Sequence, residues 1–246
     1  MLAQVGEAGQ LKLLSSKVLL VGAGGLGSPA AVYLAAAGIG TIGIVDADKV
    51  DLTNLQRQII HHTSDLGVEK VKSAQIKMQA INPDVTVKAY HELVKAANIR
   101  KIIHEYDFVI DATDNFPSKF LINDACFFEK KPFSHAGVLR FDGQLMTVLP
   151  GKTACYRCIF HSLPPADVAR SSSRAGILGV LPGVIGTLQA TEAIKYLLCI
   201  GNLLTDTLLT YNALTMEFRK VRLKRNLHCP LCGPNPAITE LKDDSQ

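Results

Sequence analysis

The chain has no long basic run, and its formal charge of +4 over 246 residues is modest. That argues against nucleic acid as a partner and stays compatible with an anionic nucleotide or an acidic protein. An apolar signal segment at the N-terminus is also missing. The most apolar stretch, residues 175 to 191, carries Pro182 and several glycines before Glu192 and Lys195 interrupt it. The expectation is a soluble cytoplasmic protein with no membrane partner. Internal repeats and a recognisable interdomain linker are absent too. The histidines, His61, His62, His91, His104, His135, His161 and His228, show no metal spacing among themselves and read as surface or core residues. Of six cysteines, four fall in two C-x-x-C pairs, which in a chain of this size favours metal over disulfides. With 48% apolar residues the chain can bury a substantial core.

What is present is organised around residues 17 to 46, KVLLVGAGGLGSPAAVYLAAAGIGTIGIVD. Val18 to Val21 form an all-apolar run, as a parallel strand buried on both faces requires, and Gly22, Gly24 and Gly27 fall in G-x-G-x-x-G spacing. The glycines let backbone N–H groups approach an anion, and the helix that follows, about Ser28 to Ala37, presents its positive end. Thr41 to Val45 supply a second strand, and Asp46 ends it where a carboxylate accepts hydrogen bonds from a ribose diol. This fingerprint alone does not choose between NAD, FAD, S-adenosylmethionine and ATP.

Before this turn a short helix is expected around Gly9 to Leu14. After it come a polar loop, a helix over Gly67 to Ala80 ended by Asn82-Pro83, a strand at Val85 to Ala89, a helix at Val94 to Tyr106 and a strand at Phe108 to Ile110. Phe116 to Lys130 read as a helix and Pro132 to Ala136 as a strand. A hairpin signal at Asp142-Gly143 then turns the sheet from parallel to mixed. A Ser- and Pro-rich crossover from Ser162 to Arg174, a buried helix from about Gly183 to Cys199, strands at Thr207 to Asn212 and Met216 to Leu223, and a polar tail complete the chain. The fold class is α/β, a mixed sheet with a parallel N-terminal half and an antiparallel C-terminal half.

Two groups carry chemistry. Cys155 and Cys158 with Cys229 and Cys232 supply four thiolates that suit tetrahedral zinc, and a site closed by four sulfurs is structural. Cys126 and Cys199 lie in helical patterns and read as core packing. The second group is Asp46, Asp48, Asn54, Arg57, Gln58 and Lys70, with Asp111 and Asp114 from a later strand end. Arg and Lys neutralise phosphate oxygens and a strand-end Asp can hold Mg2+ through oxygen. A solvated loop accounts equally well for Asp48 or Gln58 taken singly, and an exposed helix face for Lys70.

GAGGLGSP from Gly22, DADKVDLTNLQRQ from Asp46, INP from Ile81, DATDN from Asp111, CYRC from Cys155, GVIGTLQATEAIK from Gly183 and the final C-x-x-C resemble, in order, the ThiF/MoeB/HesA family, bacterial relatives of ubiquitin-activating enzymes. The resemblance covers nearly the whole chain. It implies a Rossmann-like single domain: residues 1 to 140 as the nucleotide half, 141 to 233 as the carrier-binding and zinc half, and 234 to 246 as a flexible tail. It further implies a homodimer that uses ATP and Mg2+ to adenylate the C-terminal Gly-Gly carboxylate of a ubiquitin-like sulfur carrier, with structural zinc. Gly25 would lie against the phosphates, Asp46 would hold the ribose, Asn54, Arg57 and Lys70 would line the triphosphate, and Asp114 would organise Mg2+.

Two departures follow from the same resemblance. Family members carry an Arg-x-x-Arg-Gln type segment ahead of the position of Met1, and an arginine from it reaches the partner subunit's ATP. The present sequence begins after that point, which leaves a longer N-terminus, a substitute arginine or weaker adenylation as the readings. Ser172 stands where some members have the cysteine that takes the activated carrier, so a covalent intermediate there is not expected and the product leaves as the acyl-adenylate. An NAD-dependent oxidoreductase, resting on the glycine turn and Asp46, and a non-catalytic nucleotide- or carrier-binding scaffold are the alternatives.

Overall fold

Alternation along the first strand decides the layering of the molecule. In the computed structural model, which describes residues 2–165 and 175–243, Val18 and Leu20 of β1 (Lys17–Val21) point into one apolar cluster, and Leu19 and Val21 point into another. Both faces of the strand are therefore dry, and the run has no polar gap. β1 pairs in parallel with β2 (Thr41–Val45) on one side and β4 (Phe108–Asp111) on the other. β3 (Thr86–Tyr90) extends the sheet beyond β2, and β5 (Phe133–Leu139) joins β4, again in parallel. From β5 the pairing turns antiparallel through β6 (Asp142–Val148), β7 (Thr207–Asn212) and β8 (Glu217–Arg222). Among the described residues this is one eight-stranded sheet ordered β3-β2-β1-β4-β5-β6-β7-β8. The expected parallel-then-antiparallel fold is what the chain adopts.

Helices cover the two faces. α1 (Gly6–Ser15), α2 (Gly27–Ala36), α3 (Lys70–Ile81) and, late in the chain, α7 (Leu181–Leu198) supply the first cluster. α4 (Ile99–His104), α5 (Phe116–Phe128) and α6 (Tyr156–Ile159) supply the second, together with the four cysteines. No helix among the described residues is long and apolar enough to cross a membrane.

Several sequence expectations shift. The helix read at 94–106 is only α4, because Asn98 diverts the chain before it: its side chain accepts from the Lys95 N–H at 2.8 Å and donates to the Leu93 carbonyl at 2.9 Å. The hairpin loop lies at Arg140 and Phe141, since Asp142 pairs directly with Leu139 and Arg140 takes the positive φ of 52°. Gly143 serves packing instead, as a Cβ there would strike Ile185. Cys199, expected in the core, caps α7 in a left-handed conformation and is exposed, whereas Cys126 is buried as expected. Within the segment expected as the tail from residue 234, hydrogen bonds reach back to the rest of the chain. Ala237 and Ile238 donate to the Pro230 carbonyl, and Asp243 accepts from the Ala96 N–H.

One buried polar network fixes the ends of the central strands. Asp111, wholly buried at the end of β4, faces His135 of β5 (Oδ2 to Nδ1, 2.8 Å) and Lys119 of α5 (3.4 Å), while its Oδ1 accepts from Thr113 Oγ1 at 2.6 Å. Lys119 also donates to the carbonyls of Thr113 (2.7 Å) and Ala136 (2.6 Å). Burial alone would raise the Asp111 pKa, but Lys119, His135 and Thr113 outweigh it and hold the carboxyl at about 2. A carboxylate depressed from its unfolded value near 4 stabilises the fold above about pH 4, and loses that contribution as pH falls through about 2. Asp111→Asn should therefore cost about 3 kcal/mol at pH 7, since it leaves the Lys119 charge buried without its counter-ion. Urea unfolding at pH 7 and at pH 2.5 checks this: the deficit should shrink at the lower pH, and an equal deficit at both would be the wrong result.

Candidate functional site

The sheet order reverses between β1 and β4, and the turns leaving these strands open a crevice at their C-terminal ends, where open α/β sheets bind ligands. A cleft of about 410 Å3 occupies that position. Its floor is the glycine turn. Gly22 has a φ of 106°, and a Cβ on it would come within 2.7 Å of the Ala112 carbonyl oxygen beyond β4. Only glycine meets both conditions. Gly24 and Gly25 line the cleft, whereas Gly27 does not: it lies beneath the turn as the first residue of α2, where a side chain would run into the Gly22 carbonyl. The N-terminal end of α2 follows directly and favours anions.

Asp46 lines one wall. Its two oxygens already accept from backbone, Oδ2 from the Ala23 N–H at 2.8 Å and Oδ1 from the Asp48 N–H at 2.9 Å. Those bonds orient the carboxylate and leave lone pairs for a diol. Two cations face the same space. Arg57 is half-buried, with Nη1 donating to the Thr53 carbonyl at 3.2 Å. Lys70 begins α3 and is buried, not displayed on an exposed helix face; its Nζ holds Asp48 Oδ2 at 2.8 Å. Gln58, only 4% exposed, lines the cleft with an Oε1 that has no partner among the described residues.

The opposite wall comes from the loop after β4. Thr113, Asp114 and Asn115 line it, and the Asn115 side chain caps α5 by accepting from the Ser118 N–H at 2.9 Å. Asp114 is exposed, and its carboxylate makes no ion pair among the described residues. Asp111, grouped with it in the sequence, points into the core and does not line the cleft. Asn54, in a short 3-10 turn at Leu52–Asn54, also stays outside the lining. Ser172 lies outside the described residues, as does most of the crossover that contains it.

Three buried groups shape this site: His61 and His135, which the sequence reading gave only as surface or core histidines, and Lys119, which it did not single out. Lys119 and His135 hold the loop after β4, and His61 contacts the glycine turn from below. The available signal was position: Lys119 interrupts the apolar face of α5, and His135 sits within a strand buried on both sides.

The four cysteines converge on the far face of the sheet. The sulfurs of Cys155, Cys158, Cys229 and Cys232 lie within 4.8 Å of one another and all four residues are buried. The closest separations, 3.4 to 3.8 Å, match the roughly 3.8 Å edge of a tetrahedron of thiolates about 2.3 Å from zinc. Backbone N–H groups of Asn226 and Cys232 point at the Cys158 and Cys229 sulfurs at 3.4 and 3.5 Å, as donors beside metal-bound thiolates do. This donor set can bind a metal.

Comparison with known proteins agrees with this layout. "Sulfur carrier protein adenylyltransferase" of Thermus thermophilus is 45% identical over 247 residues, covering 98% of this chain and 91% of its own. "SAMP-activating enzyme E1" of Haloferax volcanii is 45% identical over 230 residues, covering 94% and 85%. "Adenylyltransferase and sulfurtransferase MOCS3" of Culex quinquefasciatus is 42% identical over 246 residues, and there the match spans 56% of the relative's length. Among solved structures, Escherichia coli MccB with ATP superposes with a TM-score of 0.79 at 24% identity over 91% of this chain and 68% of its own, a likeness of fold. The pattern of the ThiF family matches residues 1–231, and with the glycine-floored cleft and the cysteine cluster this places the chain in the ThiF family.

Proposed function

We propose that the chain is an adenylyltransferase that activates the C-terminal Gly-Gly carboxylate of a ubiquitin-like sulfur carrier, releasing pyrophosphate. The observation that carries this reading is the opposition of Arg57 and Lys70 to the Asp114 carboxylate, which has no ion pair among the described residues, across one glycine-floored cleft. ATP would lie with its ribose at Asp46 and its phosphates over Gly22, Gly24 and Gly25. Asn54, on the same loop as Arg57 and Gln58 but outside the cleft lining, would approach the triphosphate from the rim. The relatives' names, which speak of a sulfur carrier protein and of adenylyl and sulfur transfer, support the carrier as acceptor, and the setting proposed here is thiamine or molybdopterin sulfur transfer.

The chemistry asks little of acid–base groups. A terminal carboxyl with a pKa near 3.5 is ionised at neutral pH, so its oxygen attacks the α-phosphorus without a general base. One carboxylate–phosphorus bond forms as the bond to pyrophosphate breaks, giving the acyl-adenylate. The barrier is repulsion between anions and the charge left on pyrophosphate, which Arg57 and Lys70 would offset in a partly dry cleft. Asp114 would hold Mg2+, which when bound neutralises phosphate oxygens. Lys70 pairs with Asp48 in the protein alone, and phosphate would compete for that cation.

We further propose structural zinc at the four cysteines, a homodimer, a cytoplasmic location, and a single domain divided near residue 140 into nucleotide and carrier halves. An NAD-dependent oxidoreductase has nothing beyond the glycine turn and Asp46 in its favour.

Carrier-dependent exchange between ATP and pyrophosphate with Mg2+ is the direct test. Lys70→Ala and Asp114→Ala should each lower the exchange rate about a hundredfold or more without unfolding the protein. No exchange by the wild-type protein with any Gly-Gly-ended carrier would sink the reading. Metal analysis should return one zinc per chain, and chelation should lower the melting temperature; a metal-free protein that melts at the same temperature would refute the zinc assignment.

A further inference from the structure

His61 is a buried titratable residue that the proposed chemistry does not use. It is 4% exposed and lies outside the cleft lining, yet it touches three of the segments that build the cleft. Its Nε2 is 2.9 Å from the Ala23 carbonyl oxygen in the glycine turn. Its Nδ1 is 2.9 Å from Ser73 Oγ on α3, the helix that Lys70 begins. Its own N–H donates to the carbonyl of Gln58 in the loop that carries Arg57. Ser73 Oγ stands 2.9 Å from Asp65 Oδ2, and Asp65 is anchored by Lys77 at 2.7 Å and by the His62 N–H at 2.8 Å. The imidazole is thus backed by a rigid chain of partners.

A carbonyl only accepts, so the contact to Ala23 requires a proton on Nε2. Burial pushes the imidazole pKa down, and Ser73 has a single hydroxyl proton for Nδ1 and Asp65 Oδ2, but the proton on Nε2 is required whichever of the two receives it. Lys70, Asp46 and Asp65 are the charged groups around it. The bond to Ala23 also survives protonation of the ring, because Nε2–H is present in both states.

The geometry of a trans peptide then has a consequence. Its C=O and N–H point in opposite directions, so a carbonyl of Ala23 held down by His61 turns the Gly24 N–H away from the core, toward the side that Gly24 presents to the cleft. The Ala23 N–H is meanwhile held by Asp46 Oδ2 at 2.8 Å. Both ends of residue 23 are therefore fixed, one by the wall that would hold the ribose and one by His61. We propose that His61 is a positioning residue for the nucleotide: its Nε2–H clasps the Ala23 carbonyl so that the backbone N–H of Gly24 is presented to a phosphate of ATP. This rests on the reading of the cleft as an ATP site.

The test compares two variants of the full chain by ATP titration well below their melting temperatures. His61→Phe keeps the ring volume and removes the donor, leaving a buried carbonyl unpaired, so the ATP Kd should rise about tenfold, with KM for ATP following and kcat changing less. His61→Gln places an amide Nε2–H at the same reach and should recover binding to within about threefold of wild type. Long-range 1H–15N spectra of the imidazole should show Nε2 protonated at neutral pH. Loss in both variants alike, or in neither, overturns the clasp, and so does an unprotonated Nε2. Wild-type protein that binds no ATP refutes the nucleotide reading instead, and the imidazole spectrum of the same sample still judges the contact to Ala23.

Discussion

The cleft depends on two backbones passing within contact distance at the reversal of the sheet. Where Gly22 leaves β1 it crosses the carbonyl of Ala112 leaving β4, and a single β-carbon would force the two turns apart. The turn after β1 supplies the floor and the turn after β4 the opposite wall, so their spacing sets the width of the site. Gly27 acts from beneath, letting α2 begin directly under the turn. These glycines act first by what they leave empty, and any backbone contact with an anion follows from that.

Much of this was legible in the sequence because it is written in local pattern. The apolar run of β1, the glycine spacing after it, the strand that ends at Asp46 and the paired cysteines each announce themselves within a few residues, and the structure has them in place. The misreadings are cases where side-chain bonding, packing or backbone conformation overrides the pattern. Asn98 reroutes the chain before α4 through side-chain bonds to Leu93 and Lys95, which helical periodicity does not register. Gly143 looks like a turn residue, but its role is set by Ile185 on a helix far along the chain. Cys199 follows an apolar helix and so reads as core, yet it falls on the left-handed residue that ends α7.

Asp111 and Asp114 show the same limit inside the site. Three residues apart in DATDN, they look equivalent on paper, and their environments separate them entirely. Asp111 ends its strand facing inward, where Lys119 and His135 compensate its charge, whereas Asp114 stands on the loop these residues hold. One acid spends its charge on building the wall and the other keeps its charge for whatever enters. Neighbouring groups, not residue type, assign the two tasks.

The cysteine cluster carries a consequence for how the molecule is made. Cys155 and Cys158 precede Cys229 and Cys232 by about seventy residues, so a metal held by all four could be fully bound only after the last stretch of chain has been made. Before then an oxidant that joins Cys155 to Cys158 would consume two of the four ligands, and the last stretch of chain would arrive with nothing to close upon. Completion of such a site would then join the end of the chain to a segment laid down long before it.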